Sequence, residues 1–574
     1  WQNAAASRQV ERREGMAKVY DAIVVGSGAT GGWAAKVMTE AGMDVLMLEA
    51  GRSFDEENDY REHTLPHDLP LRGRPDPRNE LLQRRHRQVY CYACTEVNAD
   101  FFIDDVDNPY TEAPGKPFNW IQGNVVGGRS ILWARQSYRM SDYDFKAASR
   151  DGYGQDWPLS YADLAPYYSR VERYIGVSGQ REGLAILPDG EFLPPMKMRC
   201  GELMLKDVLA KRFGIPMTIG RTAVLTEGRR GRAACHYCGP CHYGCRTHSY
   251  FNSTHTTLLD CAETGNFTLV PDAMVAKVDV NEENLADGVT YYDKTTGSST
   301  QAKAKVVVLC ASTLASTRIL LNSAEGGLAN SSDVLGRYVM DHIYATGVRG
   351  VLPRPSGTEV ENANRPNGIY VPRFQNLDDP ATKRSGFIRG YGYQGGEGLT
   401  SWEHAYQRAG FGAAWKDGIA GSGASTVGLS GFGEILPRAE NRVTLDAEVT
   451  DKWGVPVLRM DCTLGDNEYA MVDDILETGK EILEAMGCEE ISERTRPAPM
   501  GSGIHEVGTA RMGDDPRTSY LNQYQQSWEV KNLFVMDGAC YPSVGCVNPT
   551  LTMMSLALRS TEHLVEQFRR GDLA

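Results

Sequence analysis

The chain has 574 residues, enough to bury a large core in two closely connected domains. Hydrophobic residues make up 41% and charged residues 23%, the balance of a globular protein. A net charge of −14 leaves no basic surplus to displace counterions from nucleic acid, and no run approaches the ~18 apolar residues that a membrane span needs.

The first fifteen residues, WQNAAASRQVERREG, are polar and lack the apolar core of a secretory leader, and Met16 offers a natural start. VYDAIVV (19–25) is a β-rich apolar run, followed by GSGATGG (26–32). Ala34, Val37, Met38 and Ala41 then fall at the spacing of one buried helix face. A second strand, DVLMLEAG (44–51), carries the acid Glu49. Residues 52–119 are mostly polar and rich in Arg, Asp and Pro, which predicts a long excursion over the surface or near the site and not core. Within it Cys91 and Cys94 stand as a structural pair or free thiols.

WIQGNVVGGRSILWARQSYRM (120–140) brings back apolar residues and glycines, and 157–176 predicts a helix with Leu164, Tyr168 and Val171 on one face. NFTLVPDAMVAKVDV (266–280) and VTYYD (289–293) are β-rich, and KVVVLCASTLASTRILLNSA (305–324) is a buried strand feeding an apolar helix. From about 345 to 500, alternating stretches such as NRVTLD (441–446) between Gly- and Pro-rich loops suit an antiparallel sheet. The final segment is a strand, a loop and a long helix expected to start near Asn548-Pro549, with Asn548 as its N-cap and Pro549 as its first helical residue.

Gly26, Gly28 and Gly31 read G-x-G-x-x-G directly after a strand and at the opening of a helix. Glycines there make the turn tight and let the backbone approach a pyrophosphate, which sits on the free N–H groups of the helix. Glu49 lies about twenty residues on, the place of an acid that holds a ribose. The motif predicts a dinucleotide site. Its position early in a long chain, with LEAGR (48–52) after it, suits a permanently held flavin.

CHYCGPCHYGC (235–245) gathers four of the 13 cysteines: Cys235, Cys238, Cys241 and Cys245. Disulfides, zinc or an iron–sulfur cluster are the alternatives. Two disulfides side by side between cysteines three apart demand strong local bending. Zinc more often uses two separated knuckles. C-x2-C-x2-C-x3-C is the spacing of bacterial ferredoxin ligands, although Arg246 and not proline follows. The iron–sulfur reading is preferred.

In ordered pieces the chain resembles the glucose–methanol–choline (GMC) oxidoreductases, FAD-dependent enzymes that oxidise alcohols. VVGSGATGGWAAKVMTEAGMDVLMLEAG resembles their FAD fingerprint, and GNVVGGRSILW (123–133) their second flavin loop, with Gly127 and Gly128 in the paired-glycine positions. That loop normally reads Gly-Gly-Ser-Ser, so Arg129 is a departure. LGRYVMDH (335–342), GIHEVGTARMG (503–513) and FVMDGACYPSVGCVNPTLTMMSLALR (534–559) resemble later blocks. The resemblance implies an α/β (α+β overall) fold. A Rossmann-like FAD-binding domain would comprise 16–60, 115–150, 225–345 and 500–574. An inserted substrate domain on a mostly antiparallel sheet would comprise 61–114, 151–224 and 346–499, with the excursions.

The resemblance further implies FAD contacts from Gly26, Gly28, Gly31, Glu49, Gly127, Gly128, Ser130, Val275, Asp537, Pro549 and Thr550. Alcohol oxidation needs a base of near-neutral pKa, and His505 occupies the matching histidine position. Asn548 matches a position held by histidine or asparagine and would orient the substrate oxygen. His255, His342 and the remaining histidines are left structural.

A relay of thiolate-held iron favours a dehydrogenase over an oxidase. On this point the chain is similar to catalytic subunits of bacterial glucoside 3-dehydrogenases and, more distantly, FAD glucose dehydrogenases with clusters. Oxidation of a ring hydroxyl of glucose or a glycoside, at C3, is expected, with FAD and a 3Fe–4S or 4Fe–4S cluster. The expected partners are a small export-signal-bearing subunit and cytochrome c, in the periplasm; the alternative is a cytoplasmic chain. Two alternative functions stand beside this one: an oxygen-using, pyranose oxidase-like enzyme without a redox cluster, and a non-catalytic flavin-bound electron-transfer subunit.

Overall fold

Val19–Val25 becomes a central strand because its apolar residues are covered on both faces, and Ala22 to Val24 are fully buried. In the computed structural model, which describes residues 18–65, 68–69, 76, 78–353, 364–399, 410–420 and 425–573, this strand (β1) leads into helix α1 (Ala29–Glu40) and strand β2 (Val45–Leu48). Met16 and the polar leader lie outside the described residues. β1 pairs in parallel with β2 and with Ser299–Leu309, and β2 in turn with Phe267–Val270. The far half of Ser299–Leu309 carries Leu533–Val535, also parallel. Its near half joins an antiparallel meander through Ala286–Asp293 to Ala273–Val280. The long helix Thr550–Arg570 lies against α1.

A second layer is a six-stranded, fully antiparallel sheet. Its order runs Glu489–Arg494, His342–Leu352, Ser425–Glu434, Tyr391–Leu399, Ile369–Val371, Thr218–Ile219. Ser425–Glu434 alternates buried and half-buried residues, the period-two pattern of a strand with one covered face. Helix Asp466–Ala485 covers that face. A five-stranded sheet (Val507–Thr509, Arg337–Met340, Arg442–Thr450, Pro456–Asp461, Thr111–Glu112) draws strands from both groups of segments and joins them. No described helix is long and apolar enough to cross a membrane.

Three features differ from the expectations. Helix Tyr161–Ile175, assigned with the inserted domain, packs on the C-terminal helix, and its Leu164, Tyr168 and Val171 belong to the nucleotide-side core. The excursion 52–119 contributes to the core. Tyr60, Cys91, Cys94, Phe101 and Phe102 form a small core with Ile121 and Val125. The C-terminal helix starts at Thr550, with Pro549 before it and Asn548 outside it, because the Asn548 amide is engaged elsewhere.

Candidate active site

One cavity runs between the nucleotide sheet and the antiparallel sheet. Gly26, Gly28, Glu49, Gly128, Ser130, Val275, Asp537, Pro549, Thr550, His505 and Asn548 all line it. Gly31 and Gly127 stand behind its wall. A Cβ on Gly31 would lie 1.9 Å from the Gly26 carbonyl, so only glycine lets α1 come this close to the turn. Gly127 has φ +94 and would press a Cβ on Thr254. Ser27 links the two glycine loops: its hydroxyl donates to Glu49 Oε2 (2.6 Å) and accepts from Gly127 N (2.8 Å). Asp537 accepts from Ser316 Oγ (2.6 Å) and Ala539 N (2.9 Å), while burial pushes its carboxyl up to about 6.

Two helices open on this cavity without a side-chain cap and without an acid in the first turn. They are α1 after Gly28 and the C-terminal helix after Pro549. Their unsatisfied N–H groups and dipoles favour negative charge in the cavity.

At the inner end the chain passes from Arg337–Met340 in one sheet to His342–Leu352 in the next, and Asp341 sits at the crossing. The Asp341 carboxylate accepts from the backbone N–H groups of His342, Gly501, Gly503 and His505 (2.8–3.1 Å). It thereby fixes the loop that carries the candidate base. Burial and the Glu506 charge push this carboxyl up to about 7, against those four bonds.

The proton positions follow from one carbonyl. His342 Nε2 lies 3.0 Å from Gly545 O, which can only accept, so Nε2 carries the proton and Nδ1 is a free acceptor. His505 Nδ1, 3.0 Å from His342 Nδ1, is then the donor. That leaves the lone pair of His505 on Nε2, which faces Asn548 Nδ2 at 3.2 Å. Asn548 is oriented from its other end, where Gln394 Nε2 donates to Oδ1 (2.7 Å). Burial, then the neighbouring His342 and Arg129, hold the His505 imidazole well below its ordinary value, and burial holds His342 down to about 4. His505 is therefore a neutral base with its lone pair aimed into the cavity.

His342 is thus part of the site and not merely structural; the signal for it was its place beside Asp341 in LGRYVMDH. Gln394, in a glycine-rich strand, carries no such signal. Arg129, the departure from the usual loop, donates to Glu506 Oε2 (2.7 Å), and the other Glu506 oxygen is buried without a partner. Both residues line the cavity.

None of the four loop cysteines reaches the cavity. All thirteen cysteines are free thiols, so the disulfide alternative falls away. A tetrahedral zinc with thiolate ligands holds its sulfurs about 3.8 Å apart. Among the described residues, no three loop sulfurs come within 4.8 Å of one another. The four do not close round one ion. Their charges act on one another, and burial with those neighbours pushes the Cys238 thiol up to about 12. Tyr237 N donates to Cys235 Sγ (3.4 Å) and Ser249 N to Cys245 Sγ (3.3 Å). Arg135 lies between loop and cavity. It lines the cavity, donates to Trp133 O (2.6 Å), stacks on Tyr250, and places a buried cation beside Cys241 and Cys245.

A doubly wound nucleotide cradle joined to a neutral imidazole base defines a flavin-dependent oxidoreductase of alcohols. The chain belongs to the GMC oxidoreductases: the family's amino-terminal model matches residues 20–344 and its carboxy-terminal model residues 437–557. It is 29% identical to 2-methyl-1,2-propanediol dehydrogenase of Mycolicibacterium austroafricanum, over 96% of this chain and 95% of that protein. It is 25% identical to the fructose dehydrogenase large subunit of Gluconobacter japonicus, over 96% and 98%. Its fold matches that of pyridoxine 4-oxidase from Mesorbium loti with a TM-score of 0.62 at 17% identity, covering 95% of this chain and 99% of that one. The site fits FAD: two uncapped helix N-termini suit its anionic parts, and glycine backbone forms the wall where a pyrophosphate must approach.

Proposed function

We propose that the protein is a dehydrogenase that oxidises a ring hydroxyl of glucose or a glycoside, at C3, to the ketone. Its electrons leave through an iron–sulfur cluster in the 235–245 loop to an external acceptor such as cytochrome c. The observation that carries this reading is the packing of four free thiols behind Arg135, a buried cation on the cavity wall. The N–H donors to Cys235 and Cys245 and this cation are the groups that stabilise an anionic thiolate cluster.

His505 Nε2 takes the hydroxyl proton, and Asn548 Nδ2, now facing Nε2, donates to the substrate oxygen as charge grows there. Bound FAD supplies the two-electron acceptor for the hydrogen on carbon. Thiolate-held iron supplies a one-electron relay. The choice of C3 rests on the likeness of the cysteine-cluster segment to glucoside 3-dehydrogenase subunits. The relative named as a large subunit supports assembly with a smaller subunit; an export signal on that subunit and a place in the periplasm belong to the proposal.

The test is anaerobic flavin bleaching against glucose, glycosides, gluconate and simple alcohols, followed by iron analysis and reoxidation. Bleaching by glucose or glycosides, about three or four irons per chain, and faster reoxidation by cytochrome c than by dioxygen are expected. Iron below one atom per chain, or peroxide formed at the rate of sugar turnover, would refute the relay.

A further inference from the structure

On the outer face of the cysteine loop three side chains direct ligand atoms at one point. The Nε2 atoms of His63 and His236 are 3.0 Å apart. One ring nitrogen of each histidine and Cys238 Sγ lie mutually within 4.8 Å. Tetrahedral zinc, with Zn–N distances of about 2.0–2.1 Å, holds two imidazole nitrogens about 3.3 Å apart, close to this spacing. Cys238 thus keeps company with two histidines at a range that it shares with no two other loop cysteines, among the described residues.

A second observation comes from Glu62, whose side chain is 1% exposed. Its Oε1 accepts from Arg246 N (2.6 Å), but Oε2 has no partner. Its charge acts on Cys238. The bonded oxygen, Oε1, also lies 3.9 Å from His63 Nδ1, the ring nitrogen turned away from His236, while Oε2 stays unpartnered. A carboxylate behind a histidine is the arrangement that orients a metal-bound imidazole. An unpartnered carboxylate oxygen in the interior is costly unless a cation stands near.

From this geometry we propose a mononuclear divalent-metal site of the zinc type, ligated by His63 Nε2, His236 Nε2 and Cys238 Sγ, with Glu62 behind His63. Metal binding displaces the proton of the Cys238 thiol, and the ion ties residues 61–64 to the cysteine loop. Combined with the cluster reading above, on which this clause rests, the site leaves Cys235, Cys241 and Cys245 for iron and makes the cluster the three-iron type. The metal site itself does not depend on that reading.

Cobalt(II) is the probe. After removal of loosely held divalent ions with EDTA, the purified flavoprotein is titrated anaerobically with Co²⁺. One equivalent per chain is expected, with four-coordinate visible bands and a thiolate-to-cobalt band in the near ultraviolet. His63→Ala and His236→Ala alter exposed residues; each should weaken cobalt binding about tenfold or more and leave flavin and iron per chain unchanged. Cys238→Ser should lose the thiolate band and keep its iron. Cobalt binding unaltered in both histidine variants, no specific cobalt binding in the wild type, or loss of iron in Cys238→Ser would overturn the proposal. A wild type without iron that still binds cobalt through these residues defeats the cluster reading alone and supports the metal site.

Discussion

The lone pair of His505 points into the cavity because a backbone carbonyl, Gly545 O, lies two imidazole rings away. Removing the base, as in His505→Ala, should leave FAD bound and slow flavin reduction by substrate about 10²–10⁴-fold, measured by stopped flow. His342→Phe keeps the bulk and removes the acceptor for His505 Nδ1–H. Flavin reduction should fall about tenfold or more with unchanged FAD content; a wild-type rate would mean that the relay does not set the tautomer. The pH dependence follows from the same geometry. The base works as the neutral imidazole, and burial, His342 and Arg129 lower its pKa, so the active form persists on the acid side. Flavin reduction should therefore stay level as pH falls through the ordinary histidine value of about 6.5 and decline only below it. In Arg129→Ala, with one cation gone, that acid limb should move upward. A limb left in place would exclude Arg129 as a contributor.

At the scale of elements, β1, α1 and β2 were legible because their signals are local: an apolar run, a 3.6-residue stripe and glycines at a turn. Gly31 tests packing apart from contact, since it lies outside the cavity wall and faces the Gly26 turn and the Cys310 side chain behind it. Gly31→Ala should drive α1 away from Gly26, lowering FAD occupancy and the thermal midpoint together. Normal occupancy at normal stability would show that the turn yields. The start of the C-terminal helix was read one residue early. Asn548 is a good cap in isolation, but its amide is held by Gln394 and His505, partners more than 40 positions away. The small core around Tyr60, Phe101 and Phe102 escaped notice because its apolar residues are scattered among polar ones, with no period to follow.

Across the whole molecule, the cavity exists only where the nucleotide sheet and the antiparallel sheet are held together. Arg318, on the helix Thr313–Ser323 beside the nucleotide sheet, ties that side to the five-stranded sheet that joins the two: it donates to Asp451 Oδ2 (2.7 Å), Val455 O and Pro456 O. The Asp451 side chain is fully buried. Arg318→Ala leaves that carboxylate without its cation and should cost about 3 kcal/mol, read as a lower thermal midpoint of the FAD-loaded protein. An unchanged midpoint would show that strand pairing in the five-stranded sheet holds the joint without this ion pair.

Sequence by itself determined the nucleotide cradle and the grouping of four cysteines, because each is written in contiguous residues, and it located His505 and Asn548 through the resemblance of their segments to the family's later blocks. Tertiary structure alone decided the rest. It brought His342, from another sheet, against His505, joined Arg129 to Glu506 across 377 positions, and set Arg135 between the cysteine loop and the cavity. It also turned Cys238 toward His63 and His236. These contacts arise where loops from separate sheets converge, and no local pattern of residues encodes which loops will meet.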